Sequence, residues 1–120
     1  GASSSILAPK KHLTEHPEVT FPSKESINVK KFDSFIEENE IDISEHNFLN
    51  IDVQGYELEV LKSGENLLTQ NKMVVAVEYH GFDIKEKFVT TKDPVIKIMK
   101  KYKYKVIEEK ENKLIFKNYE

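Results

Sequence analysis

The 120-residue chain has no cysteine. Disulfides, thiolate nucleophiles and Cys-ligated zinc are therefore excluded together. It has no arginine either: all 18 basic residues are Lys, so no guanidinium can grip a phosphate or carboxylate with two parallel hydrogen bonds. Glycine and proline number only four each, too few for a disordered, low-complexity chain. Apolar runs last a few residues, far short of the ~20 that a membrane-spanning helix needs. Residues 1–7 are small and polar with no basic stretch before an apolar one, unlike a secretory signal, and a cytoplasmic location is expected. Positive charge is not in excess: the net charge is −3, which gives a nucleic-acid role no electrostatic support.

What is present is the material of one domain. Hydrophobic residues make up 38% and charged residues 32%, a leaner apolar content than the roughly 45–50% of a typical globular domain. The start at Gly1 in place of Met fits a processed product or a piece of a longer chain. Residues 1–26, with Ser3, Ser4 and Ser5 followed by Pro9, Pro17 and Pro22, read as an irregular loop region. Residues 27–32 read as a short extended stretch. Asp33 can cap a helix beginning at Ser34, with Phe32, Phe35 and Ile36 at helical spacing.

Residues 48–53 are nearly all apolar, as in a strand buried on both faces. Gly55 allows a tight turn, and an amphipathic helix runs from Tyr56 to Ser63, with Gly64 kinking or capping it. A second buried strand covers residues 73–79, and a loop with Gly81 follows. Asp93 and Pro94 open a helix whose core face is Val95, Ile96, Ile98 and Met99. Residues 104–108 and 113–117 alternate apolar and polar and read as an antiparallel hairpin. Alternating strands and helices of this kind predict an α/β layer fold with a mainly parallel sheet.

The chemistry concentrates at strand ends. Asp52 closes the first apolar strand, just before a turn and a helix start, and Glu78 repeats the pattern on the next strand with His80 behind it. In open α/β sheets that rim is where ligands bind, and two acids with an imidazole could take a proton from a hydroxyl. The structural alternative is that Asp52 caps the following helix and Glu78 bonds loop amides. His12-Leu13-Thr14-Glu15-His16 matches a metalloprotease pattern, but Pro9 and Pro17 leave hardly one helical turn between them; a surface loop accounts for it, and no metal site is expected. The lysines at 97, 100, 101, 103 and 105 read as the solvated face of a helix and strand, with a basic docking patch as the alternative.

Asn50-Ile51-Asp52-Val53-Gln54-Gly55-Tyr56-Glu57, followed by Val60-Leu61-Lys62-Ser63-Gly64, resembles the hallmark of the FkbM-type methyltransferases, Lys-Ile-Asp-Val-Glu-Gly-x-Glu and then Val-Leu-x-Gly. Residues 29–36 are similar to that family's strand ending in Leu-Asp, residues 1–7 to a small Ser-rich loop, and residues 75–78 to its later strand ending in Glu. Asn50 stands where Lys is usual and Gln54 where Glu is usual. The resemblance implies a Rossmann-like methyltransferase sheet, parallel strands ending in an antiparallel hairpin. It implies S-adenosylmethionine as cofactor and methyl transfer to a hydroxyl on a sugar, glycolipid or small metabolite. It makes Asp52, Glu57 and Glu78 the catalytic candidates, and Gln54, Gly55, His80, Ser4, Ser5 and His12 the substrate-side ones. Glycines at 1, 55, 64 and 81 leave no G-x-G spacing, so the cofactor loop is absent. The expectation is the C-terminal half of a longer enzyme, inactive alone, with a non-catalytic binding module of the same fold as the alternative. The strand at 48–53, deprived of its neighbour, is expected on or next to an open edge of a four- or five-stranded sheet and could support dimerisation.

Overall fold

The computed structural model describes residues 4–10, 18–20, 32–42, 46–52, 57–79 and 92–120. The elements are β1 (Ser4–Pro9), β2 (Val19–Thr20), α1 (Phe32–Glu38), β3 (His46–Asp52), α2 (Glu57–Ser63), α3 (Glu65–Gln70), β4 (Val74–Glu78), α4 (Lys92–Lys101), β5 (Tyr104–Lys110) and β6 (Lys113–Asn118). The described strands form one six-stranded sheet in the order β2-β1-β3-β4-β6-β5. The fold is mixed α/β. Among the described residues no helix is long and apolar enough to cross a membrane.

Register explains the core. Ser5 and Leu7 of β1 lie opposite Ile51 and Leu49 of β3, which align with Val77 and Val75 of β4, which in turn face Leu114 and Phe116 of β6. Side chains alternate along a strand, so these eight share one face, and every one is buried. Val60 and Leu61 of α2, Leu67 and Leu68 of α3, and Val95 and Met99 of α4 join the same cluster. Each such side chain contributes about 1.5–3 kcal/mol of burial.

Three expectations need correction. The first is the irregular region 1–26. Ser4–Pro9 is a strand and Val19–Thr20 a short partner to it. The serines and Pro9 suggested a loop, but the alternation of Ser5 and Leu7 inward suits a strand, and Pro9 sits at its end, where a missing N–H is tolerated. The second follows from the first. β3 is hydrogen-bonded on both sides, to β1 and to β4, so it has no open edge, and dimerisation through that edge loses its premise. The expected mainly parallel sheet is also corrected: β3–β4 is the one parallel pair among the described strands, and the other four pairs, through β1 and the hairpin, are antiparallel. At the far side β5 is an edge carrying Lys105, Glu108, Glu109 and Lys110, all exposed, with a register shift between Val106 and Glu108. Charges and a bulge of this kind discourage strand addition.

The other elements stand close to expectation. The strand at residues 73–79 is β4, and the helix at 93 begins one residue earlier. The closing hairpin is present, with β6 folding back between β4 and β5. Residues 27–31 of the expected extended stretch and the loop around Gly81 lie outside the described residues; Phe32 opens α1.

Helix ends are finished by distant groups. Asp33 was expected to cap its own helix. Its carboxylate instead accepts from the backbone N–H groups of Asn66 (3.0 Å) and Leu67 (3.1 Å), at the start of α3. Gly64 precedes that helix and has no side chain to do so. After α1, Glu40 adopts a left-handed φ of 52°. Its N–H bonds to Glu37 O, and Ile41 N–H to Ile36 O. This pair of bonds ends a helix with a residue in the left-handed region, more often glycine, and Ile36 and Ile41 both pack on the core. At the C-termini of α2 and α3, the Tyr102 hydroxyl donates to Leu61 O at 3.3 Å, and the Tyr104 hydroxyl is shared between Leu68 O and Asn71 O, 2.9 Å from each. Carbonyls left over at helix ends need such partners when buried.

Asp33→Ala should lower stability by about 1 kcal/mol, the usual value of a cap, read from the urea midpoint. Burial pushes the Tyr102 and Tyr104 phenols up to about 12. An unfolded tyrosine titrates near ~10. The folded state therefore prefers the neutral phenols; their contribution is complete below pH ~10 and is lost as pH rises toward ~12. The denaturation midpoint should fall across that window. Tyr104→Phe should shallow the fall while costing about 1 kcal/mol near neutral pH, and an unchanged alkaline profile would exclude the phenol as its source.

Candidate active site

β3 and β4 run parallel with Ile51 opposite Val77, so Asp52 and Glu78, one residue further on each, end at the same rim. Both are half-buried. Ser4 of β1 lies opposite Asp52 on its other side. One step along the chain, Glu57 opens α2 and is fully buried. A carboxylate in the first turn of a helix is favoured by the exposed N–H groups and the helix dipole, and burial at 0% exposure requires such compensation. Asp52 and Glu57 each have a polar or electrostatic partner.

Glu78 is held from across the sheet. Its carboxylate lies 3.2 Å from the Lys113 ammonium, each side chain about one-third exposed, and the two residues are directly opposed in the β4–β6 register. The hairpin turn is fastened to the same place: Tyr79 N–H donates to Asn112 O at 3.0 Å, and the Tyr79 hydroxyl donates to Glu111 O at 3.4 Å. The rim thus combines two strand-end acids, a lysine and a tethered turn. Such an arrangement can orient a hydroxyl by hydrogen bonding and accept its proton.

The β3–β4 register puts Asp52 and Glu78 at one rim, while Glu57 is buried at the start of α2. Ser4 is placed at the rim by its strand position. Ser5 sits in the buried layer facing the helices, with its hydroxyl lacking a hydrogen-bond partner among the described residues. Gln54, Gly55, His80 and His12 lie outside the described residues, as does His16 of the metalloprotease-like pattern. Among the described residues no group of three or more His, Asp or Glu could hold a metal ion. Sequence reasoning missed Lys113 and Tyr79. The hairpin alternation contained the signal for Lys113, as the first residue of its last strand, but not the register that sets it against Glu78.

The described geometry is a strand-end acid followed by a helix on a mixed sheet closed by an inserted hairpin. A family model for the methyltransferase FkbM domain matches residues 3–106, and the chain belongs to this methyltransferase family. No curated protein matches the chain, and no solved structure does.

The Glu78–Lys113 pair is partly exposed and water weakens it. A double-mutant cycle with Glu78→Gln and Lys113→Met should give a coupling no larger than about 1 kcal/mol. A coupling several times larger would mean that the pair is a structural keystone rather than a means of positioning Glu78.

Proposed function

We propose that this chain is the acceptor-side part of an S-adenosylmethionine-dependent O-methyltransferase, acting within a longer chain on a hydroxyl of a sugar, glycolipid or small metabolite and inactive alone. The observation that carries the reading is the common rim of Asp52 and Glu78 at the end of the parallel pair, in a chain of the FkbM family. Ligands of open α/β sheets bind outside the carboxyl ends of parallel strands. In this reading the sheet is the C-terminal half of a Rossmann-like one, and the inserted hairpin supports that.

The residues present fit one side of such a site. Acids that can orient and deprotonate a hydroxyl are there. A glycine turn for close approach to a nucleoside is not: no two glycines stand in G-x-G spacing, and Gly64, the one glycine among the described residues, joins α2 to α3 rather than a strand to a helix. The donor side therefore does not fit this chain, and no step is derived through the cofactor. On the acceptor side, Asp52 orients the substrate hydroxyl and takes its proton as the oxygen becomes a nucleophile. Glu78, steadied by Lys113, accepts a hydrogen bond from the acceptor, and Glu57 fixes the start of α2. Gln54, Gly55, His80 and His12 are the further substrate-side candidates, with Ser4 from β1; Ser5, turned into the core, is set aside.

Calorimetry on residues 1–120 should show no heat of binding with S-adenosylmethionine, while a chain extended upstream to include a glycine-rich turn should bind it. In the extended enzyme, Asp52→Ala should reduce turnover far more than cofactor affinity. Tight cofactor binding by residues 1–120 alone would overturn the half-domain reading. An extended chain that binds cofactor and methylates no hydroxyl would favour the non-catalytic module.

A further inference from the structure

Away from the rim, the packing of α2 against α4 leaves a groove of about 650 Å³ open to solvent. Leu58, Pro94 and Ile98 give it an apolar lining, and Lys62 from one helix and Lys97, Lys100 and Lys101 from the other also border it. All four lysines are exposed. Lys92, Lys110 and Lys113 each meet a glutamate. The four groove lysines form no ion pair among the described residues, nor do Lys105 and Lys117, opposed on the hairpin. In a chain with 21 acidic residues against 18 lysines, an apolar groove bordered by unpaired cations is a local reversal of the overall charge.

We propose that this groove is a docking site for an acidic amphipathic helix of a partner protein. Three observations select that occupant. The lining residues of α4 run from Pro94 to Lys101, which gives the trough a length of about 10 Å and accommodates about two helical turns. The apolar lining suits side chains presented at i, i+3 or i+4, and i+7 by a helix laid in a groove. The lysines come from both helices, and Lys97 and Lys101 are one turn apart along α4, so carboxylates flanking both sides of an apolar stripe meet them. A single carboxylate or phosphate headgroup at one mouth would engage only one or two, and a flat bilayer does not enter a trough between helices. The Lys-rich face of α4 is thus part of a recognition surface, a role separate from methyl transfer.

The test uses the 120-residue chain and a synthetic peptide of about 15 residues in which leucines form one helical stripe and glutamates flank it. Two controls accompany it: the same pattern with lysine in place of glutamate, and the same Leu/Glu composition arranged with period two. Binding is followed by peptide fluorescence anisotropy and by amide chemical-shift changes in the chain. The expected result is binding of the acidic helical peptide alone, with shifts confined to α2 and α4. The double variant Lys97→Glu/Lys101→Glu should weaken it by about tenfold or more, as should raising salt to ~0.5 M. Lys110→Glu, on the hairpin, should leave it unchanged. No binding of the acidic peptide, equal binding of either control, or affinity indifferent to the Lys97/Lys101 reversal would overturn the proposal. So would phosphatidylserine vesicles binding in the peptide's stead, since that outcome assigns the lysines to a lipid surface.

Discussion

The in-register parallel pairing of β3 with β4 is the constraint on which the rest depends. It brings Leu49 and Ile51 level with Val75 and Val77, and that row extends to β1 on one side and β6 on the other. The helices pack on the face it creates. The same register brings Asp52 and Glu78 to one end. Because side-chain period in a strand is two, a slip of one residue would turn the buried row outward and separate the acids. Core and rim are therefore two consequences of one pairing, and the burial of the hydrophobic row is what holds the carboxylates together.

Much of this is legible in the sequence. Strands β3 and β4 are short apolar runs ending in an acid, and such runs carry their own signal. The terminal hairpin shows it through alternation, and α4 through Asp93-Pro94 followed by a helical apolar face. What was hidden depends on partners distant in the chain. The stretch from Ser4 to Pro9 reads locally as a loop, and becomes a strand because β3 offers it a row of unpaired N–H and C=O groups and a buried slot for Leu7. Sheet pairing is set more by such context than by intrinsic preference. The expected open edge of β3 failed for the same reason.

The site divides along the same line. Asp52, Glu57 and Glu78 could be singled out as candidates because each lies at the end of an element, where local pattern is informative. Lys113 was not, because its meaning is a cross-strand register that only folding sets. Asp33 makes the point in reverse. Its position at a helix start suggested a local cap, yet its carboxylate serves α3, more than thirty residues away. The glycine at the α2–α3 junction lets two short helices follow one another closely and leaves the second without a side chain for its own N-terminus. A short polar residue elsewhere completes it.

The lysines show how a chain without arginine distributes its positive charge. Lys92, Lys110 and Lys113 each meet a glutamate of the sheet, where a point charge suffices to hold a carboxylate in place. On the outer side of α2 and α4 the groove lysines stand unpaired beside apolar side chains. Stability does not ask for this second arrangement: exposed lysines that meet no carboxylate add little to folding, and a solvated helix face does not require an apolar trough beside them. Lys113 lies on β6 beside Glu78, whereas the groove lysines lie on α2 and α4. Charge that orders the rim is thereby kept apart from charge available to a partner, so that a molecule held in the groove need not compete with Glu78 for Lys113.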